Sequence, residues 1–258
     1  MNSEKPKNIL KNNILNCPLI LEGMSNEMQS YMNSIVAFSF LLKENCSKNQ
    51  VSEEFSNQIL NSCNQFTELF DGFLDSAIID IGNSDINIDS CNLNNIMETL
   101  LSELFEKAGR RKESKIDIIT EFNIPYSAEV YIDKNKVLRV IRCLLHNSIN
   151  SIISGYIKIG YFQNGDNLTF YVIDSGQNYY KCKAYINSDD INKSFVRYSE
   201  TFIAINISLA RKLVEIMKGK IWIERNGLAG AGIYFSIPAK IVDLSNTDFK
   251  RHIDSIIP

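Results

Sequence analysis

Histidine is nearly absent from this chain. His146 and His252 are the only two in 258 residues. Neither stands in a pattern that gives it chemistry, and each is expected to be structural or solvated. Long apolar runs are also missing: none approaches the roughly 18–20 residues that cross a bilayer, which excludes a membrane-spanning helix within these residues. No basic stretch followed by an apolar one opens the chain, so no signal peptide is expected, and the reading is a cytoplasmic protein. The six cysteines (Cys17, Cys46, Cys63, Cys91, Cys143 and Cys182) contain no C-x-x-C pair, which argues for reduced thiols rather than a zinc or disulfide framework. Basic excess is lacking as well. A net charge of −3 gives neither a nucleic-acid footprint nor a polybasic membrane patch. What is present is an ordinary globular composition, 45% hydrophobic and 22% charged. The length suits one large or two modest domains.

Residues 1–18 are polar and weakly patterned, and read as a tail or short leading helix. From 19 to about 46 the apolar residues recur at helical spacing: Met24, Met28, Met32 or Tyr31, Ile35, Phe38 and Leu42. A polar break follows, with Ser52 as the expected N-cap of a second helix. That helix carries Phe55, Ile59, Cys63, Phe66, Phe70, Phe73 and Ala77 in steps of three and four, a heptad-like stripe. Two such helices form a hairpin over residues 19–80. One hairpin does not bury both stripes, so pairing with a second copy into a four-helix bundle is expected, the alternative being packing on the rest of its own chain.

Residues 81–92 are polar and turn-rich and read as a linker, ending in Asn92 as a helix cap. A helix from Leu93 follows, then strands at 115–122 and 128–132, a helix over 134–154, strands at 156–162 and 168–173, an irregular stretch over 175–199, a helix over 202–218, and strands at 220–225 and 233–237. The expected fold is α+β: a mixed sheet covered by helices over residues 93–240, with a tail at 241–258.

Several segments carry a family resemblance. Met24-Ser25-Asn26-Glu27-Met28-Gln29-Ser30 resembles the M-S-H-E-x-R-T box of sensor histidine kinases. Asp133 to Asn147 resembles their N-box, and Val172-Ile173-Asp174-Ser175-Gly176 the D-x-G-x-G box. Arg211 to Trp222 is similar to K-R-L-V-E-x-M-G-G-x-I-W. The order of elements is that of the GHKL-type ATPase domain. The resemblance implies a dimeric hairpin that accepts phosphate, and an ATPase domain that binds ATP. Asn147 would hold a magnesium ion, Asp174 would accept from the adenine amino group, Gly176 would let the backbone approach closely, and Arg197 of a Phe195-Val196-Arg197 piece would lie in the lid. It implies partnership with a response regulator or another kinase.

The departures carry the functional reading. Asn26 stands where the phosphoacceptor histidine belongs. A carboxamide nitrogen is delocalised into its carbonyl and does not attack a γ-phosphate as an imidazole does. Glu27 then has no imidazole to orient, and Ser30 is left as the residue that could hold a water. Tyr31 replaces the proline that bends the first helix, so that helix is expected to run straight. The phosphate-wrapping G-T-G-L-G-L loop has become Phe202-Ile203-Ala204-Ile205-Asn206-Ile207, with all three glycines lost, and is expected to continue the following helix. Asn178 replaces the second glycine of the D-x-G-x-G box and is expected to tolerate left-handed dihedrals. The reading is a pseudokinase that does not phosphorylate itself, with ATP and magnesium binding weak or absent. The alternatives are a kinase or ATPase acting in trans, and a purely protein-binding module.

Overall fold

The computed structural model describes residues 18–44, 49–80, 85–109, 115–152, 154–187, 201–227 and 230–243. Expectations about the leading tail, Cys17, Cys46, Phe195-Val196-Arg197 and His252 lie outside these residues. The chain divides into two compact units, Met1–Asn83 with Asn187–Leu209, and Ser84–Ile186 with Ala210–Pro258.

The first unit is built on α1 (Pro18–Glu44) and α2 (Asn49–Asp80). With no proline after Pro18, α1 continues for 27 residues without a break. Its inward line is Met24, Met28, Tyr31, Ile35, Phe38 and Leu42, all half-buried, while Met32 is exposed. Ser52 is not the cap of α2, which begins three residues earlier at Asn49. The buried line of α2 also differs from the expected one. Ser62, Leu69, Gly72 and Ser76 are the buried positions, and Phe70 is 39% exposed. The heptad spacing was right, but small residues rather than phenylalanines occupy the tightest line. Phe70 instead stacks on Phe66 at 6.3 Å between ring centres. The third piece of this unit is the first half of α6 (Thr201–Ile216). Ala204 through Leu209 are all buried, and Ile205 packs with Leu69.

The second unit opens with β1 (Asp89–Cys91) and α3 (Leu93–Gly109), the latter capped by Asn92, whose Oδ1 accepts from the Asn95 amide at 3.1 Å. Next come β2 (Lys115–Asn123), β3 (Ala128–Ile132), α4 (Lys134–Ser151), β4 (Ser154–Asn164), β5 (Asn167–Asp174), α5 (Tyr179–Asn187), β6 (Lys220–Asn226), β7 (Gly230–Pro238) and β8 (Lys240–Asp243). The main sheet has the order β2-β4-β5-β7-β6, and a smaller one the order β1-β3-β8. β2 and β4 run parallel and every other pair is antiparallel, so the main sheet is mixed. Alternation puts Ile157, Ile159 and Tyr161, Leu168, Phe170 and Val172, and Ile233, Phe235 and Ile237 on the buried face. Leu93, Met97 and Leu100 of α3 and Val137, Val140, Ile141 and Leu144 of α4 are buried with them. Three short elements depart from the expected reading: β1 in the expected linker, α5 in the expected irregular stretch, and β8 at the start of the expected tail. The four described cysteines, Cys63, Cys91, Cys143 and Cys182, are free. Among the described residues no helix is long and apolar enough to cross a membrane.

Candidate functional site

The candidate nucleotide site of the second unit is assembled by the C-terminal half of α4 and the end of β5. Asp133 starts α4 by accepting the Lys136 amide at 3.0 Å, which fixes the helix register and brings Asn147 to the buried side. The Asn147 side chain is 2% exposed, and neither its Oδ1 nor its Nδ2 has a hydrogen-bond partner within the protein. Ser148, the next residue, donates its hydroxyl to Asp174 Oδ2 at 2.8 Å. Asp174 Oδ1 accepts from the Gly176 amide at 2.9 Å and, at 3.5 Å, from that of Ala231. Burial raises the Asp174 carboxyl above the ordinary carboxylate range, opposed by these three donors. Burial likewise pushes the Cys182 thiol up to about 12, so it has no thiolate character.

Asn147, Asp174 and Gly176 therefore belong to one connected patch. A Cβ at Gly176 would stand 2.5 Å from Ser151 Oγ and 3.0 Å from Asp174 Oδ1, so a side chain there would displace the Ser151 hydroxyl and crowd the Asp174 carboxylate. Asn178 does something other than expected. Lys218 is the only non-glycine residue with positive φ among the described residues, so Asn178 is not left-handed. Its carbonyl accepts the Cys182 amide at 2.9 Å, the first bond of α5, and its Nδ2 donates to the Asn147 carbonyl at 3.3 Å. A residue lost from a glycine pattern thus becomes a helix start and a tie between the two motifs. Ser148 is the site residue that motif reading passed over, and Asn178 the one whose role it assigned differently. The signal for Ser148 was its place beside Asn147, on the same turn of an apolar helix.

In the first unit, Asn26, Ser30 and Asn33 lie along one exposed face of α1 and line a shallow groove of about 510 Å³ with Gln29 and Ser34. Glu27 points the other way. It is half-buried, its Oε2 has no hydrogen-bond partner, and it accepts the backbone amide of Phe202. Burial pushes its carboxyl up to about 7. The segment Phe202 to Ile207 is α-helical, as its lack of glycine implied. Inside a helix each amide from the fifth residue on is bonded four residues back. Arg197 lies outside the described residues.

The residues present fit part of a magnesium nucleotide. A buried amide oxygen without a partner, as at Asn147, suits a hard cation. In the first unit, the segment that resembles the phosphate loop gives its Phe202 amide to Glu27, and its amides from Ile205 onward are spent within α6.

No protein-family model matches the chain. Cyanobacterial phytochrome B of Nostoc sp. is 27% identical over 183 residues, 67% of this chain and 23% of that protein. Among solved structures, Acinetobacter baumannii histidine kinase AdeS matches with a TM-score of 0.58 at 14% identity, covering 82% of this chain and 96% of that one. Histidine kinase ThkA, in complex with response regulator protein TrrA, matches with a TM-score of 0.58 at 20% identity, covering 90% of this chain and 64% of that one. The chain shares the fold and order of elements of these histidine kinases, a helical hairpin followed by a mixed sheet covered by helices. It spans about a fifth of the length of the curated relatives it matches.

Proposed function

We propose that the chain is a two-component signalling pseudokinase core, a dimeric module that signals by binding a partner without phosphorylating itself. The observation that carries this reading is α6. The run that resembles a glycine-rich phosphate loop begins a helix at Thr201, so its amides from Ile205 onward are bonded within that helix and that of Phe202 is given to Glu27. Asn26 removes the nucleophile independently. Dimerisation is supported by apolar residues in steps of four on the outside of the hairpin: Met32, Val36 and Phe40 on α1, at 54%, 67% and 58% exposure, and Phe70, Leu74 and Ile78 on α2. A response regulator is the partner favoured by the likeness to ThkA, whose structure holds one. Incubation with γ-labelled ATP is the test. The reading expects no acid-labile phosphoprotein, and robust labelling would overturn it.

One observation favours a second reading, a nucleotide-binding kinase or ATPase acting in trans. Asn147 keeps a buried amide with both polar atoms unpartnered, which is costly to maintain unless a ligand meets it. On that reading Asn147 holds magnesium and Asp174 accepts from the adenine amino group. ATP hydrolysis that disappears in Asn147→Ala would favour it over the first.

A further inference from the structure

The start of α6 is held by the hairpin through shape and charge together. Thr201 is fully buried. A Cβ at Gly23 of α1 would stand 2.2 Å from Thr201 Oγ1, and a Cβ at Gly72 of α2 would lie 3.3 Å from Ile205 Cγ2. Each helix of the hairpin therefore offers a notch, and α6 fills both. Leu69 and Ile205 form the centre, with Met28, Tyr31, Phe73 and Phe202 closing around them. Glu27 sits at the rim and accepts the Phe202 amide, one of the four that a helix start leaves unpaired.

Two forces act on the Glu27 carboxyl in opposite directions. The amide and the positive end of α6 favour the anion. Burial, with Oε2 lacking any hydrogen-bond partner, disfavours it. Burial is the larger, and the carboxyl rises from 4.5 to about 7. Among the described residues, the titratable groups around it supply no neutralising cation. On α1 there is Tyr31, itself pushed up to about 12 by burial and then by the charges of Glu27 and of Glu68 on α2. From α6, residues 201–209 contribute no ionisable side chain.

We propose that Glu27, Gly23 and Gly72 make the hairpin a proton-controlled latch for the start of α6, closed when Glu27 carries a proton and loosened when it is ionised. The only chemical event is one proton passing between the Glu27 carboxyl and solvent. Opening hydrates the carboxyl and returns it to its ordinary value. Between about 4.5 and about 7 the closed latch therefore keeps a proton that the open one gives up, and closure weakens as pH rises through that window. Below and above it, closure is independent of pH. The inference goes beyond the pseudokinase reading and does not depend on nucleotide binding.

Amide hydrogen exchange of the full chain tests this, read at Ile205 to Leu209 and corrected for intrinsic exchange. Protection is expected to fall with rising pH, by up to about tenfold per pH unit for one proton, and to level off above pH 7. Glu27→Gln is expected to abolish the slope and to exceed the unaltered chain in protection at pH 8. Gly23→Val blocks one notch and lowers protection at every pH. A flat profile in the unaltered chain, or a slope that survives Glu27→Gln, would overturn the latch. The ¹³C titration of the Glu27 carboxyl in the unaltered chain decides the matter without a variant: a midpoint near 7 is expected, and one near 4.5 would refute it.

Discussion

Replacing Asn147 with leucine is expected to stabilise the ligand-free chain, although it alters a residue at the centre of the candidate site. The side chain is 2% exposed, and both its amide atoms are buried without a partner. Each such atom forfeits its hydration at a cost of about 1–3 kcal/mol. Leucine has nearly the same volume and no polar atom, and a shape change of this kind in a packed helix returns about 1 kcal/mol. The main-chain bond from Asn178 to the Asn147 carbonyl is untouched by the substitution. A net gain of about 1–5 kcal/mol follows, or several degrees in melting temperature for a unit of this size. Urea unfolding followed by tryptophan fluorescence measures it cleanly, because Trp222 is the only tryptophan and lies on β6 of the same unit. Asn147→Leu destabilised by more than about 1 kcal/mol would refute the reasoning, since the amide would then be serving a partner inside the folded chain.

Three further expectations concern packing and charge. Leu69→Ala empties the centre of the first unit, where Leu69 is 1% exposed, and should cost about 3–5 kcal/mol, seen as loss of helical ellipticity at lower urea. Val36→Glu with Ile78→Glu places charges on the outer apolar lines of the hairpin. Sedimentation velocity should show monomers, with stability changed by less than about 0.5 kcal/mol per exposed site, and a persisting dimer would contradict the four-helix pairing. Asp174 has a carboxyl raised by burial, so the folded chain keeps a proton that the unfolded chain releases. Its contribution is therefore most favourable at acid pH and is lost as pH rises through the raised value. Asp174→Asn should flatten that part of the stability–pH curve, and an unchanged curve would show that the carboxyl titrates normally.

Much of the fold was legible because its elements are long and periodic. Ala128–Ile132 alternates cleanly and was read to the residue, and the run from Phe202 was readable as helix because no glycine interrupts it. The misses have local causes. β1 and β8 have three and four residues, too few for a period, and exist because β3 pairs with both. α5 is announced only by Asn178, whose role as a helix start depends on bonds to Cys182 and Asn147 that no spacing encodes. Leu69 was overlooked in favour of Phe70, since hydrophobicity ranks the larger ring first. Packing instead chose the line of α2 whose small neighbours, Ser62, Gly72 and Ser76, let helices approach. At the site, Asn147, Asp174 and Gly176 were named from motifs, yet the bond from Ser148 to Asp174 that ties α4 to β5 appears only once the helix face is known.

Calorimetric titration of the full chain with ATP and magnesium tests the central claim most directly. The account expects no saturable heat up to millimolar ATP, because the glycines of the phosphate loop are replaced by a helical run whose amides from Ile205 onward are spent in α6 and whose Phe202 amide is spent on Glu27. Magnesium-dependent binding at micromolar ATP, abolished by Asn147→Ala, would contradict it.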